Sequence, residues 1–244
     1  MTAFQFFSEL AGTALLLLLG GGVVANNVLT RTNGQGGGNL MVNFGWGIGV
    51  MAGVVAAGAS GAHLNPAVTL GFFLDPKTTQ FADGIDKSFV TMLVYFAAQM
   101  LGAMLGALLC WLSYKQHFDQ TEEPADKLGV FSTGPGIRNA GWNLTTEVIA
   151  TFVLVIGIMM TPKEPDLGPL VVTLLVVGIG ASRGGPTGYA INPARDLGPR
   201  IMHALLPIKG KGSSNWGYAW VPVAGPLLGG ALAAAVHVGL LSMQ

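Results

Sequence analysis

SGAHLNPAVTL at 60–70 and TGYAINPARDLG at 187–198 carry the same tripeptide, Asn-Pro-Ala, each time between an apolar stretch and a short amphipathic one. Proline suits the first position of a helix, because its missing N–H is not needed there and its φ is already set. Asparagine is among the best residues for the position before it. Asn65-Pro66 and Asn192-Pro193 therefore each predict the start of a helix. The helices that follow, over 67–74 and 194–206, are too short to cross a bilayer at about 1.5 Å of rise per residue.

The composition around these segments is that of a membrane protein. Of 244 residues, 51% are hydrophobic and only 10% charged, against about 25% charged in a soluble domain. Twelve basic and twelve acidic residues leave no net charge, which argues against a nucleic-acid partner and against a polybasic surface anchor. The 37 glycines suit helices that pack closely within lipid. A single cysteine, Cys110, excludes an intrachain disulfide and a cysteine metal cluster, and it reads as a buried small hydrophobe. The first apolar stretch contains Glu9 and has no Lys or Arg ahead of it, so it reads as a retained span and not as a signal peptide.

Five stretches come near or exceed the roughly 20 apolar residues that a crossing helix needs. These are 4–28, 40–59, 89–114, 144–160 and 216–241, with a sixth and weaker one of 16 residues at 167–182. Polar connectors lie between them: TRTNGQGGGN at 30–39, FADGIDK at 81–87, KQHFDQTEEPADK at 115–127, TPKEPD at 161–166 and KGKGSSN at 209–215.

The chain also repeats. SELAGTALLLLLG at 8–20 returns as TTEVIATFVLVIG at 145–157, so that Glu9 answers Glu147, Thr13 answers Thr151 and Asn65 answers Asn192. Within one domain over 1–244, halves of about 4–114 and 142–241 each hold three spans and one short Asn-Pro segment. Three is odd, so the second half enters the membrane from the opposite face, which gives an inverted repeat. The fold expected is an all-α membrane protein with six transmembrane helices and two re-entrant half-helices.

Half-helices entering from opposite faces bring two positive dipole ends, roughly half an elementary charge each, to one point. A cation passing there meets a barrier. The stretches ahead of them, Gly61, Ala62, His63 and Leu64, and Gly188, Tyr189, Ala190 and Ile191, are read as extended backbone. Such backbone is allowed at membrane depth only where it lines a wet cavity or lies within protein. Carbonyl acceptors ending at two Asn amides would replace hydration for a passing hydroxyl compound, so the pattern reads as a pore for neutral, hydrogen-bonding solutes. One Asn-Pro alone also marks an ordinary turn; the symmetric pair carries the reading.

With SGAHLNPAVT and GPTGYAINPARDLGPR, the sequence resembles the aquaporin family over essentially its whole length, and most closely the glycerol-facilitator (aquaglyceroporin) branch. The resemblance implies an aquaporin-like fold, assembly as a homotetramer with one pore per subunit, and the motif residues Asn65, Pro66, Ala67, Asn192, Pro193 and Ala194 at the pore centre. Asp196 stands where glycerol-conducting members carry Asp. By the same resemblance, Arg195, Tyr189, Gly180 and Trp46 form the selectivity filter, with Trp46 one residue closer to Asn65 than the family's usual spacing. Glu9 and Glu147 would hold the two pore loops, with Asp196 supporting them. The arginine presents fixed donors for adjacent hydroxyls and keeps its charge. Two aromatic faces opposite it would suit a carbon backbone, and Gly180 would leave width for it. Glycerol fits that shape. Water, urea, dihydroxyacetone and undissociated lactic acid remain alternative solutes.

Other candidates are weaker. His63 reads as a ring packed behind the loop, His117 as solvated, and His203 and His237 as isolated from any carboxylate set; no metal, cofactor or catalytic constellation is expected, hence no enzyme. An ion-coupled transporter would need a titratable group where Asn65 and Asn192 stand, and a closed structural membrane protein is the other rival. The resemblance implies a multi-pass protein of the cell membrane, in contact with lipid, with both termini cytoplasmic. That leaves only Lys77, Lys87 and Lys163 inside, against the positive-inside rule.

Overall fold

The computed structural model describes residues 1–161 and 167–243. Most of the connector at 161–166, including Lys163 and Asp166, lies outside the described residues. Six helices among the described residues are long and apolar enough to cross a membrane. They are α1 (Ala3–Val28), α2 (Gly38–Ala56), α4 (Phe89–Ser113), α7 (Ala140–Met160), α8 (Gly168–Thr187) and α10 (Val221–Leu241). The half-helices are α3 (Pro66–Leu74) and α9 (Pro193–Leu205), and the shorter pieces are α5 (Lys115–Gln120), α6 (Pro124–Phe131) and a 3-10 turn over Gly58–Ser60.

The buried faces carry more small and polar residues than those of a water-soluble bundle, beside apolar ones such as Leu16 and Leu17. On α1 the buried face holds Ser8, Glu9, Gly12, Thr13, Gly20 and Gly21, while Phe4, Phe7, Leu15 and Leu19 are exposed. Lipid is as apolar as leucine, so burial selects small and polar residues that pack closely or bond across helices. The α1–α4 pair and the α7–α10 pair are the most extensive contacts, and α2 packs on α8. Each pair is closed by glycines four apart: a Cβ at Gly106 would meet the Ala14 carbonyl oxygen at 2.3 Å, and one at Gly229 the Val148 carbonyl oxygen at 2.5 Å.

Two connectors and the end of one span depart from the sequence expectation. The 81–87 stretch forms a small antiparallel hairpin, β1 (Gln80–Ala82) and β2 (Ile85–Asp86), turned at Asp83-Gly84 with Gly84 at φ 70°. The 115–127 stretch is not a free loop: Phe118 and Phe131 bury against Leu29, Val130 and Ile208. His117 is not simply solvated, because its Nδ1 lies 3.1 Å from the Thr30 carbonyl oxygen. Finally, α8 runs on past Ser182 to Thr187, because hydropathy measures preference for lipid while the backbone ladder continues to the cap, where Gly188 N–H bonds the Gly184 carbonyl.

Candidate functional site

Asn65 and Asn192 cap α3 and α9 from extended backbone. The Asn65 side-chain oxygen accepts the Ala67 N–H at 2.8 Å. That of Asn192 accepts the N–H groups of Ala194 and Arg195 at 3.0 and 3.2 Å. Such caps are each worth about 1 kcal/mol. The two tips are then cross-linked: Asn65 Nδ2 donates to the Ile191 carbonyl and Asn192 Nδ2 to the Leu64 carbonyl, both at 2.8 Å. A carboxamide nitrogen has two N–H groups, so each asparagine keeps one for the cavity that both line.

The segments ahead of the asparagines are not extended. φ is positive at Gly61, Ala62 and Leu64 (79°, 53° and 55°), and at Gly188, Tyr189 and Ile191 (77°, 39° and 46°). For residues other than glycine this is costly backbone, of order 1–3 kcal/mol each, and it persists only where its surroundings hold it. Two carboxylates do the holding. Glu9 accepts the Leu64 N–H at 2.5 Å, Gln99 Nε2 at 2.8 Å and Ser60 Oγ at 2.6 Å. Glu147 accepts the N–H groups of Ala190 and Ile191 at 3.0 and 2.9 Å, and Thr187 Oγ1 at 2.6 Å. In a planar trans peptide the carbonyl points opposite to the N–H. The His63, Tyr189 and Ala190 carbonyls therefore face away from the carboxylates.

A cavity of about 640 Å³ runs past both tips. Its walls include all the expected loop residues except Gly188; Leu64 and Ile191 are among them, though their carbonyls already accept the opposite asparagine. Pro66, Ala67, Pro193 and Ala194 are buried behind it, and Ala67 packs so tightly that a Cβ at Gly230 would meet its carbonyl oxygen at 2.5 Å. Phe81, Asp83 and Thr161 lie along one part of the wall and Trp46, Tyr189 and Arg195 along another.

The four filter candidates come together, with two differences from expectation. Arg195 does not face both aromatic rings. Its guanidinium carbon lies 3.9 Å from the centre of the Trp46 ring, and its Nη1 reaches the Phe131 carbonyl at 3.4 Å; a buried guanidinium short of acceptors gains from an aromatic face. Nor does Gly180 leave open width: the tip of Tyr189 fills the space, 2.7 Å from where a Cβ would be.

Asp196 supports a different segment from the re-entrant loops. It accepts Thr133 N–H and Oγ1, both at 2.7 Å, and pairs with the fully buried Arg200 at 2.7 Å. His63 is packed behind its loop, bonded to Thr69 and the Phe81 carbonyl and stacked on Tyr95. His237 is not isolated: its Nδ1 lies 3.1 Å from Asp75 Oδ2. His203 meets Ser214 at 2.8 Å. Among the described residues no group of His, Cys, Asp or Glu could hold a metal.

Sequence reasoning missed Ser60, Gln99 and Thr187 as partners of the carboxylates. The signal was present, since Ser60-Gly61 and Thr187-Gly188 stand at the same distance from their asparagines, and Gln99 is a polar residue inside an apolar span.

Comparison with known proteins identifies the family. The family model described as "Major intrinsic protein" matches residues 2–237. The chain is 52% identical to the glycerol uptake facilitator protein of Bacillus subtilis, over 94% of this chain and 81% of that one. It is 48% identical to glycerol uptake facilitator protein 3 of Lactiplantibacillus plantarum, covering 95% of each. The X-ray structure of the aquaglyceroporin from Plasmodium falciparum superposes with a TM-score of 0.81 at 28% identity, over 98% of both chains. The chain is therefore a multi-pass integral membrane protein that belongs to the major intrinsic protein family.

Proposed function

We propose that the protein is a passive channel of the cell membrane for glycerol and other small neutral solutes, with some water permeability, and that it excludes ions and protons. It is not an enzyme. The observation that carries the reading is the pair of cross-linked asparagine tips beside one cavity with Arg195 in its wall. Two helix N-termini and a guanidinium oppose cations, while carbonyls and free amide N–H groups serve hydroxyls. The relatives named for glycerol uptake favour glycerol over water, urea, dihydroxyacetone or undissociated lactic acid as the main solute. The filter is Arg195, Trp46, Tyr189 and Gly180. The repeat halves about 4–114 and 142–241 form one channel domain, and four copies assemble in lipid, each with its own passage.

Stopped-flow uptake of water, glycerol, urea and lactic acid into proteoliposomes tests this. Glycerol flux should not saturate and should need no ion gradient; uphill accumulation driven by protons would make the protein a coupled transporter. Tyr189→His should lower glycerol flux more than water flux, by on the order of tenfold in their ratio. Equal loss of both would remove Tyr189 from the filter. Native mass measurement in lipid nanodiscs should give a tetramer.

A further inference from the structure

Tyr189 is seated in a slot. On α8 the glycines 180 and 184 stand one helical turn apart, on one face. A Cβ at Gly184 would meet ring atoms Cδ1 and Cε1 of Tyr189 at 2.9 and 3.2 Å, and a Cβ at Gly180 would meet Cζ and Oη at 2.7 and 2.8 Å. The ring thus lies along the backbone of α8, its root at Gly184 and its hydroxyl at Gly180. That hydroxyl is shielded from solvent and has no hydrogen-bond partner among the described residues, and Tyr189 is only 8% exposed. A buried hydroxyl without a partner is costly and therefore rare.

One polar side chain from a different helix reaches the same place. Asn43 of α2 puts its Oδ1 2.6 Å from the point where a Gly180 Cβ would stand, the point that Tyr189 Oη approaches to 2.8 Å. Asn43 is 5% exposed and lies three residues before Trp46, so α2 presents both side chains from one face. An asparagine turned inward within a spanning helix belongs with a hydrogen-bonding partner on a neighbouring helix. The chemistry is matched, because a phenol donates and an amide oxygen accepts.

We propose that Asn43 is a positioning residue of the constriction: the two groups are not hydrogen-bonded in the structure, and a small rotation of the Asn43 amide lets its oxygen take the phenolic hydrogen of Tyr189 over Gly180 and hold the ring in the Gly180–Gly184 slot. The width left for a carbon-bearing solute then depends on a residue that the solute does not touch. Without that partner the ring is held in the slot by packing alone and leaves it more readily toward Trp46 and Arg195, and glycerol loses more than water. The inference rests on the channel reading above.

The test compares glycerol and water permeability, per mole of inserted protein, for the unsubstituted channel, Asn43→Leu, Tyr189→Phe and the double variant in proteoliposomes. Each single variant should lower the glycerol-to-water ratio about fivefold, the size expected of one neutral hydrogen bond. The double variant should match either single one. A ratio unchanged in Asn43→Leu, or effects of the two substitutions that multiply, would overturn the proposal while leaving the channel standing. An unsubstituted protein that passes neither solute would instead remove the channel reading itself. Should Asn43→Leu fail to insert, Asn43→Ala, which only deletes atoms, is read in the same way.

Discussion

Glu9 and Glu147 occupy equivalent places in the two halves, yet the distribution of donors over their oxygens differs, and this separates them under substitution. Glu147 uses Oε1 for Thr187 and Ala190 and Oε2 for Ile191. Whichever way a glutamine amide is turned at 147, its nitrogen faces a backbone N–H that has no other acceptor in reach. At position 9, Oε2 accepts Ser60 Oγ, whose hydroxyl also reaches the Ala57 carbonyl at 2.8 Å. A glutamine there can give its NH2 to Ser60 Oγ and keep its oxygen for Leu64 and Gln99. A buried donor left unpaired costs about 1–3 kcal/mol, so Glu147→Gln should cut glycerol flux per inserted protein by on the order of tenfold. Glu9→Gln should cost less, about twofold, since Leu64, Gln99 and Ser60 all remain paired. Equal losses in a stopped-flow assay would refute the distinction. The pairing of the two glutamates was legible in the repeat, but which oxygen serves which donor is set only when the loops fold against them.

At the scale of elements, hydropathy located the spans and the Asn-Pro pairs located the starts of α3 and α9 within a residue. Hydropathy could not see α5 and α6, whose buried Phe118 and Phe131 are scattered through a polar stretch and find one another only across the end of α1. The glycines were legible as packing residues in number but not in place. Gly106 of α4 and Gly229 of α10 are backed by main-chain carbonyls at 2.3 and 2.5 Å from a would-be Cβ, whereas Gly178 and Gly239 have nothing within 4 Å. A backbone wall cannot move aside as a flexible side chain can, and overpacking of this kind costs about 1–3 kcal/mol or more. Gly106→Val and Gly229→Val should therefore each lower the melting temperature of the purified protein in detergent and reduce the monodisperse fraction. Gly178→Ala and Gly239→Ala should leave both measures unchanged, and similar behaviour of all four would argue against close helix contact at these sites.

For the whole molecule, six crossings return the chain to its starting face. The hairpin of β1 and β2 lies on the face of the α1 start, and α5, α6 and the 207–220 connector lie on the other. Counting positive charge put the second face inside, which conflicts with the family orientation. The structure shows how many of those charges are already engaged. Lys127 and Lys211 donate to main-chain carbonyls of 209 and of 204 and 206, Arg200 is sealed against Asp196, and Lys115 pairs with Asp119. These contacts form only in the folded protein, whereas the positive-inside rule acts as the chain inserts, so the conflict with the charge count stands. We infer the orientation with α5 and α6 outside from the family resemblance, and labelling decides it. In a Cys110→Ala background, with Cys110 itself buried, a cysteine replacing the exposed Asn33 should react with an impermeant maleimide in intact cells. One replacing the exposed Lys77, on the hairpin face, should react only after the membrane is opened. The reverse pattern would turn the molecule over and make the charge count right, putting the Trp46–Arg195 end of the cavity on the cytoplasmic side.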